Sequence, residues 1–515
     1  MLRTSDVGLW FGPERPSHVA MTLGPTNPSG GCGKPKGAKE GKLNRGHQPG
    51  STIHVQQPPI QQNLAAAEGL RHEDASGARC MALSMGELKE RVLKRLRAEA
   101  DGVVALCSGL VKVPSENPPG DMTEVAGFIR DWLAERGLRA EIHEPKKGAI
   151  NLIVRVGEAE EPCLALGGHM DVVPAGDRGR WSVDPYSGEV RDGRVWGRGA
   201  TDMKGGLACL MFALATIARE VEHLPGTLLL AITPDEETGG QHGARWLVEQ
   251  GLLHGDACLM AEPSTIHASV VAEKGICWLR LRAPGRPAHG SLPMLGENAI
   301  EKAARAMEVL KGLEELEVKV PEELAAVVES SRELFRLLAP SLAEELGLPP
   351  EKAAGIARAL DHITVNFGII KGGTKVNMVP EACELDVDVR VPPGFRPEDV
   401  LAWVKSKLAE ASLGDVSCEV VHSSEPNYTP PSSRIFGLLR ANAKEIAGLD
   451  VRPIIITGGT DARFLRWREV PTIHYGPGAL HKAHAYDEFV EVRDLKVATL
   501  VLAGTMLDFI LGRQA

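Results

Sequence analysis

What this chain lacks narrows its class before any motif is considered. It has no uninterrupted apolar run of about 18 residues, the length a membrane helix needs. The longest candidates, LACLMFALATIA from Leu207 and VATLVLAGTML from Val497, read as buried core helices. The N-terminus has no positively charged start followed by an apolar core, so no secretory leader is expected. Nine cysteines fall singly, mostly inside apolar segments such as EPCLAL and GICWLRL, with no CxxC pair. That usage predicts reduced, buried thiols and a cytosolic location. A surplus of positive charge is also missing: 58 Lys and Arg face 68 Asp and Glu, for a formal net charge of -10. Nucleic acid and anionic membranes are therefore excluded as expected partners. No repeat with a period of about 20–50 residues is visible, which excludes solenoids and propellers.

What is present is ordinary globular material, 515 residues with 43% hydrophobic and 24% charged, enough for about two to four domains. Residues 1–84 stand apart. PTNPSGGCGKPKGAKEGKLNRGHQPGS and VQQPPIQQN are rich in Gly, Pro, Gln and Lys without apolar periodicity, so they are expected to be disordered or to precede the true start. From Met85 the chain opens with a helical pattern and then alternates. INLIVRV and CLALGGHMDVV lead to a helix over 203–220, then TLLLAIT, a helix over 242–250, and ACLMAEPS. Strands alternating with helices predict an α/β fold with a mainly parallel sheet covered on both faces. Ligands of such sheets bind beyond the carboxyl ends of the strands. The clusters GHMD, PDEE and AEPS all follow apolar strands directly, so they belong at one edge of one sheet.

Near residue 273 the pattern changes. GICWLRLRAPG, a helix over 296–313, HITVNFGII, ACELDVDVRV, a helix over 397–411 and VSCEVVH follow one another. That order predicts a small α/β sandwich with an antiparallel sheet. A charge-rich helical stretch at about 316–361 interrupts it, with no assignable role. After 424 strand–helix alternation resumes. The expected organisation is a discontinuous domain, 85–272 and 425–515, with 273–424 inserted.

Two polar groups at strand ends stand out. His169 and Asp171 lie at i and i+2, and a period of two puts both side chains on one side, where the carboxylate can receive the second imidazole N–H and fix the tautomer of a metal-binding histidine. An ordinary polar pair is the alternative. Glu236 and Glu237 sit side by side in TPDEETGG. Adjacent carboxylates at a buried strand end repel and resist ionisation unless a cation intervenes; a solvated turn is the alternative. Asp202 in GRGATDMKGG reads either as a helix cap or as a ligand. Glu262 follows another apolar strand, and His484 in HKAHAYDEF supplies a second imidazole. Two histidines and several carboxylates at strand ends suit first-row metals, zinc first, with cobalt or manganese also possible.

The ordered motifs LALGGHMDVVPAG, GRGATDMKGG, TPDEETGG, AEPS, RPAHGSLPMLGENAI, KVNMVPEACELDVDVRVPPG, GGTDARF and AHAYDEFVEV resemble the dinuclear-zinc amidohydrolases of peptidase family M20. These include acetylornithine deacetylase, succinyl-diaminopimelate desuccinylase, aminoacylase and glutamate carboxypeptidase. The resemblance runs from about Met85 to the end and implies a zinc-peptidase-like sheet with an inserted lid and dimerisation domain. It implies that His169 and Glu262 hold one metal and Glu237 and His484 the second, with Asp202 bridging and His481 the rival of His484. Glu236 would be the general base and Asp171 an outer support. Asp202–Met203 would be a cis peptide. His289 would reach the site of the second subunit of a homodimer. Arg390 and Asn377 would hold a substrate carboxylate, and Gly459 and Thr460 would line the same pocket. The activity implied is hydrolysis of an N-acyl amino acid. Succinyl-diaminopimelate desuccinylase is the leading form. Acetylornithine deacetylase and a dipeptidase or carboxypeptidase follow, and a catalytically silent binding homologue is the reading from another class.

Overall fold

The apolar runs quoted above become strands whose two faces are both covered. The structure, a computed structural model, describes residues 85–514 apart from 350, 351, 353 and 354; the extension expected over 1–84 lies outside the described residues. Its strands are β1 (Ala140–Lys146), β2 (Ala149–Val156), β3 (Cys163–His169), β4 (Val190–Arg191), β5 (Arg194–Trp196), β6 (Thr227–Thr233), β7 (Ala257–Met260) and β8 (Ala268–Glu273). The later ones are β9 (Gly275–Pro284), β10 (Thr364–Gly372), β11 (Ala382–Val391), β12 (Ser417–Ser424), β13 (Asn427–Tyr428), β14 (Arg452–Ile456), β15 (Thr472–His474) and β16 (Phe489–Glu491).

The large sheet runs β1-β2-β6-β3-β7-β15-β8-β13, with β14 also on β8. Its centre, β6-β3-β7-β15, is parallel, and antiparallel pairings carry it to both flanks. Every residue of β3 and β6 is buried, as expected of strands covered on both faces. Their two-residue period divides them between two cores. Leu164, Leu166, Leu228, Leu230 and Ile232 face the helices Asp101–Val111, Gly205–Glu220 and Val492–Ile510. Cys163, Ala165, Leu229 and Ala231 face Ala244–Glu249 and Ala462–Arg466. The stretch Ala200–Glu220 is long and apolar enough to cross a membrane, although it holds no uninterrupted apolar run of that length. Yet 94% of its most apolar window is buried inside the fold, so it is a core helix.

Helix Gly205–Glu220 comes very close to the end of β7. A Cβ on Gly206 would lie 1.8 Å from the Ala261 carbonyl oxygen, so only glycine lets the two backbones meet there.

Between Gly275 and Ser424 lies a separate four-stranded antiparallel sheet, β10-β11-β9-β12. One face packs Cys277, Leu279, Leu281, Val387 and Val389 against the helices Ala299–Lys311 and Pro397–Glu410. The other carries Trp278, Arg280 and Arg282, none of them buried. The helical stretch interrupting this lobe docks elsewhere. Leu324, Val327, Val328 and Leu360 join the core of the large sheet. The Ser331 hydroxyl accepts the Ile455 N–H at 2.9 Å, so helix Ala325–Leu346 covers edge strand β14.

Candidate metal centre

Parallel pairing brings three strand ends together. His169, the last residue of β3, lies opposite Thr233 at the end of β6, and Gly167 pairs with Met260 at the end of β7. Glu262 follows β7 by two residues, and Glu236 and Glu237 follow β6. The glutamate pair does not continue the strand: Glu236–Thr238 is a 3-10 turn. It closes with Gly239 at φ 103, where the Gly239 N–H donates to the Glu236 carbonyl at 2.8 Å. The turn, rather than strand alternation, decides where the two carboxylates go. Asp202 enters from the turn before the glycine-rich helix start, and Asp202–Met203 is cis. His484 comes from the loop before β16.

The two oxygens of Asp202 face different histidines. Oδ1 lies 3.2 Å from His169 Nε2 and Oδ2 lies 3.4 Å from His484 Nε2. On the His169 side, Glu262 Oε1 is 3.7 Å from the same nitrogen. On the His484 side, Glu237 Oε2 is 3.1 Å away. The donors thus divide into two sets that share one aspartate. Glu236 Oε2 stands 4.0 Å from His169 Nε2. Ligand atoms of His169, Asp202 and Glu237 lie within 4.8 Å of one another. These nitrogen and oxygen donors fit first-row divalent metals.

The charges point the same way. Four carboxylates crowd two imidazoles. Burial pushes Glu236 and Glu262 well above the usual carboxylate range, and neighbouring glutamates add to it; burial also raises Glu237. Burial alone would lower His169, but Glu262, Asp171 and Asp202 outweigh it and hold the ring well above its usual value. Hydrogen bonds to Asp202 and Glu237 push His484 up to about 10. Cations held between these carboxylates would relieve the same crowding of negative charge.

Asp171 meets His169 with both its backbone and its carboxylate. His169 Nδ1 lies 2.9 Å from the Asp171 backbone carbonyl, nearer than the carboxylate at 3.4 Å. That carbonyl fixes Nδ1 as the donor and leaves Nε2 for the site. The Asp171 carboxylate also accepts the backbone N–H groups of Glu236 and Glu237, each at 3.2 Å, and the Asn117 amide at 3.0 Å. It anchors the glutamate turn to β3. Asn117 escaped the sequence reading; the Pro-rich SENPPG loop around it was its only signal.

A second missed group joins the remaining candidate ligands. Buried Arg198 donates to Glu488 Oε2 at 2.6 Å and to the His484 carbonyl at 3.3 Å. Glu488 Oε1 accepts the N–H groups of Thr201 at 2.9 Å and Asp202 at 3.1 Å. This one ion pair ties the Asp202 turn to the His484 loop.

The other expected residues lie apart from this cluster. The Arg390 guanidinium pairs with Asp388 at 2.9 Å near the C-terminal end of β11. Exposed His289 contacts the Ser291 hydroxyl at 2.7 Å, and the Asn377 carbonyl accepts the Gly290 N–H at 2.8 Å. Thr460 donates its hydroxyl to buried Glu273 at 2.6 Å, which also meets Arg466 at 3.2 Å. That network fixes the loop holding Gly459 at the junction of the lobes.

The profile for Peptidase family M20/M25/M40 matches residues 165–508. A probable succinyl-diaminopimelate desuccinylase of Staphylococcus aureus is 27% identical over 397 residues, 75% of this chain and 92% of that protein. An acetylornithine deacetylase of Pasteurella multocida is 28% identical over 391 residues, with 75% and 91% covered. The fold is similar to an M20 family metallo-carboxypeptidase from Sulfolobus solfataricus, with a TM-score of 0.67 and 20% identity, covering 80% of this chain and 100% of that one. The sheet, the separate antiparallel lobe and the profile match agree: the chain belongs to peptidase family M20/M25/M40.

Proposed function

We propose that this hydrolase cleaves the amide bond of an N-acyl amino acid and uses two divalent ions. The observation that carries the proposal is the two-sided placement of Asp202, with one oxygen toward His169 and the other toward His484. His169 and Glu262 would share one ion with Asp202, and His484 and Glu237 the other. Bound ions, zinc first with cobalt or manganese as rivals, would polarise the scissile carbonyl and acidify the attacking water. Glu236, the one carboxylate of the cluster left outside the two ligand sets, takes the water's proton and returns it to the departing amine. Every ligand and base position is filled, which argues against a silent binding homologue.

Succinyl-diaminopimelate is the first substrate to try, N-acetylornithine the second, and dipeptides the third. Arg390 and Asn377 would grip the substrate carboxylate, a task suited to a planar guanidinium. Steady-state turnover of those three classes by protein of measured metal content tests the reading. Hydrolysis of none, with two ions bound per chain, would sink it.

The active form would be a homodimer built through the antiparallel lobe. In that lobe Leu292, Met294, Leu295, Ile369, Ile370, Val376 and Met378 are all exposed. An apolar surface of that kind commonly marks an interface. The seven described cysteines are free, which suits a reducing cytosol.

A further inference from the structure

Buried Lys274 has no part in the proposed chemistry, yet it sits where the two lobes join. It is the single residue between β8 and β9, one of the two connections on which the antiparallel lobe hangs; residues 425–426, between β12 and β13, are the other. The connections touch, because a Cβ on Gly275 would lie 2.7 Å from the Pro426 nitrogen. Two chains crossing at one point make a hinge, and the lobe swings about it unless something else spans the gap. The helical insert spans it. Leu316 and Val318, at its start, pack on the core of the lobe. Leu324, Val327 and Leu360 lie in the core of the large sheet, and Ile363 returns to the lobe. Apolar burial on both sides thus opposes a change of angle. Polar ties fix the side toward the large sheet. Beyond the Ser331 bond to β14, Glu333 pairs with Arg452 at 2.8 Å and Tyr428 donates to Glu323 at 2.6 Å. Lys274 fastens the other end. It is 1% exposed, and its Nζ donates to the carbonyls of Ala359 at 2.9 Å and His362 at 2.7 Å. Burial, then the Arg390 guanidinium, pushes it down to about 7, so a charge is held here at a cost that an apolar side chain would not incur. The Thr364 hydroxyl lies 3.5 Å from the same Nζ, and Thr364 is the residue of β10 that pairs with Arg390 of β11.

We infer that Lys274 is a positioning residue: it bolts the insert across the hinge, and the insert holds the antiparallel lobe, with Arg390, at one angle to the metal cluster. The lobe angle stands apart from the amide-hydrolase reading. Only its effect on KM rests on that reading, through the carboxylate grip proposed for Arg390.

The test uses full-length, metal-loaded protein with spin labels on unnatural side chains at Ala134 of the large lobe and Ala402 of the other, both exposed. Dilution in unlabelled protein confines the reading to distances within one chain. Wild type should give a single narrow distance. Lys274→Met should lose that single peak and raise KM for succinyl-diaminopimelate about tenfold, the scale of a weakened hydrogen bond to a charged group. Its kcat should change little, as when binding common to ground and transition states is lost. Ser331→Ala, on the far side of the insert, should broaden the distance as well, and it carries the test if Lys274→Met does not fold. Leu230→Ala, a core truncation away from the insert, should lower the melting temperature and keep the distance narrow. Narrow distances in both insert variants, or equal broadening in Leu230→Ala, overturn the brace. Broadening with unchanged KM upholds the brace and removes Arg390 from the substrate carboxylate. Absence of turnover by wild type sinks the hydrolase reading by itself, and the distances then decide the brace alone.

Discussion

At the scale of single residues, position relative to the shared aspartate underlies the task proposed for each carboxylate. Glu237 lies against His484 and Glu262 against His169, and Glu236 is proposed to handle protons. Glu236→Gln should lower kcat by about 10²–10⁴, the range for a lost general base. Metal content, read by elemental analysis, should not change; loss of metal with activity would make Glu236 a ligand instead. The histidines add a pH dependence with a definite sign. His484 is raised from an ordinary 6.5 to about 10, so in metal-free protein at neutral pH it carries a proton. Its stabilising effect on the metal-free fold is complete below about 6.5 and fades as pH rises through about 10. A ligand histidine must be neutral, so metal uptake expels that proton. Titration of zinc in buffers of different ionisation enthalpy should therefore show net proton release near pH 7, together with affinity that climbs with pH. Uptake without proton release would mean that His484 is not a ligand.

At the scale of elements, the site depends on how closely helix Gly205–Glu220 approaches the end of β7. Gly206 stands between the turn carrying Asp202 and the segment carrying Glu262, and a methyl there would meet the Ala261 carbonyl at 1.8 Å. Gly206→Ala must push one of these elements away. Metal affinity should fall along with thermal stability, whereas an ordinary buried Leu230→Ala truncation, costing about 2–5 kcal/mol, should lower stability alone. Equilibrium dialysis beside thermal melts separates the two outcomes. The same elements show what the amino-acid order could reveal. Apolar runs such as CLALGG and TLLLAI announce buried strands, and polar residues just past them mark the ligand edge. The period of two put the Asp171 carboxylate on the His169 side, where it lies 3.4 Å from Nδ1, but could not show that the Asp171 backbone carbonyl comes nearer still, at 2.9 Å, or that the glutamates beyond β6 sit in a 3-10 turn. Arg198 and Glu488 are 290 positions apart, and no local pattern can announce such a pair. Nor could the chain order foretell that Leu324 and Val327 leave the lobe around them to cover β14.

At the scale of the whole molecule, the residues proposed to complete the site are split between the lobes. His289 and Asn377 sit next to each other on the exposed end of the antiparallel lobe, joined by the Gly290–Asn377 hydrogen bond at 2.8 Å. Among the described residues no hydrogen bond or ion pair joins their side chains to the metal cluster of the same chain, and the lobe that carries them exposes several apolar side chains. A two-fold pairing of that surface would carry His289 of each subunit toward the site of the other, where an imidazole can stabilise the developing oxyanion. Mixing tests the idea without a structure of the dimer. His289→Ala and Glu236→Gln should each be nearly inactive alone. In a mixed dimer one site combines an intact Glu236 with an intact His289 from its neighbour, and the other site has neither. If subunits exchange randomly at equal amounts, half of the dimers are mixed and one of their two sites works, so activity should return to about a quarter of wild type. If His289 acts within its own chain, every site retains one defect and mixing restores nothing.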